Sequence, residues 1–262
     1  HGAVSFLLVF RLGRAAVRYW DARAAVGRVV EVCRCVASQA RASGYCSADA
    51  NDGVVHCDSV LRWTAAFPIT VKNFLRKTSG NREQCRAEFG RLVSEAEFDA
   101  VIGAPCQPIH VLNQLRGAVH QLALMRSSES DARLNAMFFR ALNEKIDLLT
   151  GAWGAMERID ATPLPFVYVA HLRTFLMLYL VVVALPSIAG WGALAMPGHL
   201  ATSWALLGIE AAAMECERPF RRRANHLKLG VMCVRVAEAV GQTIPDLPTP
   251  YPNAASTADH SP

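Results

Sequence analysis

This sequence of 262 residues is short of charged residues and of recognisable catalytic motifs. Only 19% of its residues are Asp, Glu, Lys or Arg and 52% are apolar, against roughly 25% and 45–50% in ordinary soluble domains. A disordered chain, a collagen-like chain and a coiled coil are excluded, because none of them is both rich in apolar residues and poor in charge. The mean hydropathy of +0.21 is lower than membrane spans alone would give. The composition therefore predicts some segments in lipid and a larger part in water.

Signatures of enzymes and of metal sites are missing as well. The sequence contains no GxxxxGK[ST], GxGxxG, HExxH or GxSxG motif. The eight cysteines form no CxxC pair, so the spacing of zinc ribbons and thioredoxin-like sites is absent and free thiols are expected. We predict no enzyme activity, no catalytic or metal-binding residue and no cofactor. A net charge of +5 does not by itself indicate nucleic acid, and we expect no nucleic-acid partner.

The first ten residues, His1–Phe10, are nearly uncharged. They show neither the positive start nor the small-residue cleavage site of a signal peptide. At about 1.5 Å per residue they span roughly 15 Å, half of a bilayer core. We therefore expect residues 1–20 to be the C-terminal part of a membrane-spanning helix whose front half is missing.

Regularly spaced arginines follow this run. Arg11, Arg14 and Arg18 share one helix face, because residues three or four apart are neighbours on a helix. Such a face is either solvated or belongs to a helix that leaves the bilayer on its cytoplasmic side. The sequence leaves both interpretations open.

Helical patterns dominate the middle of the chain. They predict helices at 61–77, 83–100, 105–124 and 128–150, and Pro68 should break or kink the first. The clearest begins at a capping-box-like pair, Ser128 and Asp131, and carries a stripe with the period of a buried helix face: Leu134, Phe138, Leu142, Ile146 and Leu149. No useful strand alternation appears. The predicted fold class is all-α, with residues 21–165 forming a large helical cytosolic or stromal region.

The longest uncharged stretch runs from Thr174 to Ile209. Phe166–Leu185 is long enough to cross about 30 Å of hydrocarbon, whereas Leu200–Met214 would need help from its flanks. A hairpin buried in a soluble helical protein is the alternative, but the absence of charge on every face favours lipid. We predict a transmembrane hairpin at 166–216, a basic juxtamembrane helical region at 217–240 and a disordered tail at 241–262. The arginines on both membrane segments point to a common exit side.

Four short motifs occur in order along residues 10–227. They are Phe10-Arg11 with Arg18-Tyr19-Trp20-Asp21-Ala22-Arg23, Arg62-Trp63-Thr64-Ala65-Ala66-Phe67-Pro68, Glu157-Arg158-Ile159 with Thr162-Pro163-Leu164-Pro165-Phe166, and Ile209-Glu210 with Glu217-Arg218-Pro219-Phe220. Together they resemble the bestrophins, including bacterial and plant or algal members. The resemblance implies a homopentameric multi-pass membrane channel for anions such as chloride or bicarbonate. It implies a plastid (thylakoid) membrane if the source is a photosynthetic eukaryote.

The resemblance also places a narrow apolar neck at Gly2, Phe6 and Phe10. These positions share one helix face, and five copies would form apolar rings of the kind that gate by dewetting. Packing of Phe6 and Phe10 against helices or lipid is the alternative. Gly2 departs from the usual bulky residue, so the outermost ring would be wider or absent.

A second constriction is placed by the resemblance at Thr162. Thr162-Pro163 has the pattern of an N-cap followed by the first helical residue, and five such helix N-termini would attract anions. A plain helix start is the alternative.

Two departures from the family pattern matter for function. Arg221, Arg222 and Arg223 stand where animal members carry an acidic calcium-binding cluster, so we predict no calcium site. The basic cluster would attract anions to the inner mouth or contact lipid head groups, or is simply solvated. Leu12-Gly13 replaces the family's Thr-Asn. With Gly2, this leaves open a non-conducting scaffold or auxiliary subunit.

Overall fold

The computed structural model describes residues 2–44, 50–78, 80–125 and 132–242. Within these ranges the chain is helical almost throughout and contains no strand, which confirms the all-α prediction. The helices are α1 (Gly2–Gly44), α2 (Ala50–Leu75), α3 (Arg82–Phe89), α4 (Glu95–Gly103), α5 (Gln107–Met125), α6 (Ala132–Ala161), α7 (Phe166–Trp191), α8 (Ala195–Glu217) and α9 (Leu229–Gly241). The predicted cap at Ser128 and Asp131, and the predicted tail beyond Gln242, lie outside the described residues.

The chain divides into two compact units. The first contains residues 2–23 and 158–227, so it combines the beginning of α1 with α7 and α8. The second contains the described residues between 24 and 157 together with 228–242. It therefore holds the rest of α1, the helices from α2 to α5, most of α6, and α9.

The core of the second unit forms around α2, which packs against α5 and α9. α5 contributes a stripe at a spacing of three or four residues, Val111, Leu115, Val119 and Leu122, all of them buried. Burial of such a side chain stabilises the fold by roughly 1.5–3 kcal/mol. The helical period of the apolar residues is thus what assembles this core.

Pro68 lies inside α2 without ending it, so the predicted break is wrong, while the predicted kink stays a prediction. A proline has no backbone N–H, which leaves the carbonyl oxygen four residues earlier without its helical donor. That oxygen belongs to Thr64, and the thiol of Cys33 donates to it over 3.9 Å. A partner from α1 therefore satisfies the group that the proline leaves unbonded.

The predicted helix over 83–100 is two helices, α3 and α4. Gly90 ends α3 with a φ of +53°, a conformation that favours glycine. Ser94 starts α4 in a capping box, since its hydroxyl accepts from the Glu97 N–H while the Glu97 carboxylate accepts from the Ser94 N–H. Both local signals stand within ten residues of each other and override the amphipathic pattern.

The stripe predicted for α6 is partly confirmed. Leu142, Ile146 and Leu149 are buried, whereas Leu134 is 62% exposed. The helix also continues past the predicted end at 150. Beyond Gly151 it buries Trp153 and Met156, which outweighs the cost of about 1 kcal/mol for a glycine within a helix.

The hairpin of the first unit consists of α7 and α8, joined by a 3₁₀ turn at Gly192–Leu194. α8 runs from Ala195 to Glu217, 23 residues or about 34 Å, so the flanks of Leu200–Met214 supply the length that the prediction asked of them. Pro197 is tolerated because it lies in the first turn, where no helical donor is needed. Phe166–Glu217 is long and apolar enough to cross a membrane, with a mean hydropathy of 2.0 in its most apolar window. That window is mostly exposed, which argues against a buried soluble hairpin.

Candidate functional site: an apolar helix face and a buried charge network

The predicted neck residues lie on an exposed face of α1. Phe6 is 69% exposed and Phe10 is 44% exposed, and their rings stack with centroids 6.4 Å apart. The guanidinium of Arg14 lies one turn further, 5.1 Å from the Phe10 ring centroid. Gly2 is also exposed, and no described atom lies where its side chain would be. Two of the three positions thus present aromatic surface that no described residue covers.

The opposite face of the same helix segment is packed. Val4 and Leu8 are buried against Leu176 and Leu180 of α7. The spacing of four residues on each face explains the division, because residues i and i+4 lie one above the other. One side of α1 is therefore fixed to the hairpin while Phe6 and Phe10 remain available.

A charge network begins at Arg11, the residue that follows Phe10. Arg11 is fully buried and pairs with Glu210, and its second nitrogen lies 3.0 Å from Glu217. Arg173 of α7 binds the other oxygen of Glu210 over 2.6 Å. Two arginines thus share one buried carboxylate, and the network joins α1, α7 and α8.

Arg18 continues the same connection two turns along α1. Its Nε donates to the carbonyl oxygen of Glu217 over 3.0 Å, and a terminal nitrogen donates to the carbonyl oxygen of Ile159. Arg18 therefore binds backbone at the end of α8 and near the end of α6. Arg11 is buried and so does not belong to a solvated face, whereas Arg14 is exposed, which agrees with either interpretation of the arginine face.

Sequence reasoning missed the pairing of Arg11 with Glu210. The signal that could have found it is the rarity of charge itself: Glu210 ends a long uncharged stretch, and Arg11 ends another. A charge at the edge of lipid needs a partner, so two opposite charges in such positions should be tested as a pair. Periodicity cannot find it, because 199 residues separate the two.

Thr162 is not the helix cap that the sequence predicts. Its backbone N–H and its hydroxyl both donate to the carbonyl oxygen of Arg158, so it closes the end of α6. α7 begins at Phe166 with Pro165 at its cap, which has no side-chain hydrogen bond to offer. The residue before a proline is biased away from helix, and two prolines close together move the start of α7 beyond Thr162. Thr162 is exposed.

The arginines predicted at the inner mouth are exposed and line a cleft of about 950 Å³. Arg223 pairs with Glu215 over 2.7 Å. Arg221 and Arg222 have no ion pair within the part of the chain that the structure describes. The cleft also has apolar walls, including Val169 and Met214.

Three buried cysteines of the second unit have thiols with raised pKa values. Burial raises the pKa of the Cys33 thiol strongly, that of Cys233 to about 12 and that of Cys57 to about 11. A thiol held protonated is a poor nucleophile and a poor metal ligand. Across the described ranges no group of three or more His, Cys, Asp or Glu side chains could hold a metal ion.

Comparison with known proteins gives three findings in agreement. The family model for "Bacterial/Fungal Bestrophin protein" matches residues 2–242. A voltage-dependent anion channel-forming protein of Nostoc sp. is 28% identical over 256 residues, which cover 97% of this chain and 77% of that protein. A second protein of that name, from Mesorhizobium japonicum, is 27% identical over 250 residues, covering 93% of this chain and 74% of that protein.

Among solved structures, the chain resembles a bacterial bestrophin homolog from Klebsiella pneumoniae. The TM-score is 0.81 and the sequence identity is 23%, over 94% of this chain and 85% of that one. At 23% identity this structural similarity shows that the two chains share a fold.

Proposed function

The chain belongs to the bacterial and fungal bestrophin family, and from that premise we propose that it is a subunit of an anion channel in a membrane. The family assignment confirms the resemblance drawn from the four sequence motifs. The relatives named above are channel-forming proteins, and passive conduction requires no catalytic residue. These relatives are bacterial, so they lend no support to a plastid membrane.

The observation that carries the proposal is the exposed aromatic face of α1. Phe6 and Phe10 are stacked and partly exposed, while Val4 and Leu8 on the other face pack against α7. In a homopentamer, five such faces would surround an axis and form an apolar neck for chloride or bicarbonate. The positive edges of aromatic rings tolerate a passing anion, and an apolar constriction gates by dewetting. Gly2 adds a wider ring.

The same proposal assigns a role to each of the other segments of the chain. Residues 1–20 line the pore, 21–165 form the helical region outside the membrane, 166–216 form the hairpin, and 217–240 follow it as a basic juxtamembrane region. Thr162 would form a second constriction through its exposed hydroxyl rather than through a helix N-terminus. Arg221, Arg222 and Arg223 would serve as an anion-attracting mouth or as a lipid contact.

The proposal is tested by anion flux from liposomes that contain the purified protein. We expect chloride flux above that of empty vesicles, and a changed conductance or ion preference in Phe6→Ala/Phe10→Ala. The matched control is Phe175→Ala/Trp204→Ala, which removes two aromatic side chains from the hairpin and should leave conduction unchanged. Assembled protein without flux above empty vesicles would overturn the proposal.

A non-conducting scaffold or auxiliary subunit is the second candidate. Gly2 and Leu12-Gly13 favour it, because they depart from the family pattern at and beside the neck. If the chain is such a non-conducting subunit, both the wild type and Phe6→Ala/Phe10→Ala should show anion flux no greater than that of empty vesicles.

A further inference from the structure

We propose that the basic cleft of the first unit binds an anionic phospholipid, with the phosphate among the arginines and an acyl chain along the apolar wall. The inference requires only that the hairpin lies in a membrane. It goes beyond conduction, because it assigns the cleft a ligand that is neither the permeating ion nor a part of the pore.

Charge in the cleft is strongly unbalanced. Its lining includes five arginines (Arg173, Arg218, Arg221, Arg222 and Arg223) against two glutamates (Glu215 and Glu217). Both glutamates already have arginine partners, since Glu217 pairs with Arg11 and Glu215 pairs with Arg223. Arg218, Arg221 and Arg222 are exposed and have no ion pair among the described residues. Three guanidinium groups are therefore available for one phosphate, which they bind well because of their planar donor geometry.

A buried histidine gives a second and independent indication. His226 lines the cleft and is only 6% exposed. Its Nε2 lies 2.9 Å from a carboxylate oxygen of Glu215, but no described group forms a hydrogen bond with its Nδ1. A buried polar atom without a partner is costly. Nδ1 has almost no accessible surface, so a phosphate oxygen in the cleft would reach it after a shift of the imidazole ring.

The apolar part of the lining identifies the ligand as a lipid rather than a free ion. Leu164, Phe166, Val169 and Met214 line the same cleft as the arginines. These residues lie at the ends of α7 and α8 where the uncharged stretch stops, which is where head groups and acyl chains meet. Inorganic phosphate would use the arginines and leave this apolar wall uncovered.

The test measures binding of phosphatidylglycerol to the detergent-purified protein by native mass spectrometry. The variant Arg218→Gln/Arg221→Gln/Arg222→Gln removes the available cations and leaves the Arg223–Glu215 pair in place. The matched control, Arg91→Gln/Arg133→Gln/Arg235→Gln, removes three exposed arginines from the second unit and so changes the net charge equally. We expect about tenfold weaker binding in the cleft variant and less than about twofold in the control.

Three results would overturn the proposal. Equal losses in the two variants would indicate general charge attraction. Competition by inorganic phosphate or glycerol phosphate at the same concentration as the lipid would indicate an anion site without an acyl chain. Failure of phosphatidylglycerol to bind the intact protein more tightly than phosphatidylcholine would indicate that the cleft is not a lipid site, as when a second copy of the chain covers it. None of these readouts depends on conduction, so their failure is distinguishable from failure of the channel proposal.

Discussion

The two units of the chain differ in where most of their large apolar side chains lie. In the first unit Arg11 is fully buried, while Trp204 on α8 is 81% exposed. In the second unit Leu115 and Leu142 are fully buried, while the side chain of Arg140 is exposed and pairs only with its neighbour Glu144 on the same helix. Most of the large apolar side chains that are exposed therefore belong to the first unit.

This difference in apolar exposure agrees with a hairpin that lies in lipid. Large apolar residues are exposed along the hairpin, among them Phe166, Trp191, Leu194 and Trp204. In water such a surface would be unfavourable, whereas in hydrocarbon it is the normal exterior and charges need internal partners. The shared carboxylate of Glu210 meets that need for Arg11 and Arg173. The second unit buries most of its large apolar side chains.

The largest expected effect comes from breaking the buried network. Arg11→Leu removes the buried cation, leaving Glu217 without its charged partner while Glu210 keeps Arg173. Breaking a buried pair costs roughly 3–5 kcal/mol, and the retained Arg173 places this variant near the lower value. That corresponds to a fall of roughly 6–12 °C in melting temperature, measured as the loss of monodisperse protein on size-exclusion after heating.

The matched control is Arg14→Leu, one turn away on the same helix. Arg14 is exposed and contacts only the Phe10 ring through its guanidinium, so its loss should cost less than about 1 kcal/mol. Similar melting temperatures for the two variants would show that the network does not stabilise the first unit.

An arginine introduced at an exposed leucine should destabilise the first unit more than the second, because the two sites face different solvents. Leu178 on α7 and Leu134 on α6 are 58% and 62% exposed, so the two sites are alike by exposure alone. Leu178→Arg should cost roughly 2.5–3.5 kcal/mol because the side chain faces hydrocarbon, and Leu134→Arg should stay within about 0.5 kcal/mol. Membrane-inserted yield and melting temperature measure both. Equal tolerance would contradict the assignment of the hairpin to lipid.

The smallest effect is expected at the capping box of α4. Ser94→Ala should destabilise the second unit by roughly 0.5–2 kcal/mol, whereas Ser38→Ala on the exposed face of α1 should stay within about 0.5 kcal/mol. Thermal unfolding followed by circular dichroism measures both. A loss in Ser38→Ala as large as that in Ser94→Ala would show that the cap contributes nothing specific.

The same cap should depend on pH. Burial alone would raise the pKa of Glu97, but hydrogen bonds from Ser94 and the charge of Arg62 hold it below its usual value. A carboxyl whose pKa is lowered in the folded state adds stability above its unfolded pKa, and that stability is lost as the pH falls through the folded pKa. The difference in stability between the wild type and Glu97→Gln should therefore be largest near neutral pH and shrink in acid. A difference that grows on acidification would contradict this role of Glu97.

Local sequence signals predicted much of the helical architecture, and distant partners account for part of what they missed. The helical period alone predicted the burial of Leu142, Ile146 and Leu149. The division between α3 and α4 could also have been predicted, because Gly90 and the capping box at Ser94 are local sequence signals. Continuity of α2 through Pro68 is supported by the thiol of Cys33, which is 31 residues from its acceptor Thr64. The burial of Arg11 depends on Glu210, which no local pattern connects to it.

The central claim, that the chain forms an anion-selective pathway, is tested most directly by the reversal potential. The protein would be reconstituted in a planar bilayer with a high concentration of potassium chloride on one side and a low concentration on the other. The account predicts a current that reverses close to the chloride equilibrium potential. A reversal close to the potassium equilibrium potential, or no current from assembled protein, would contradict it.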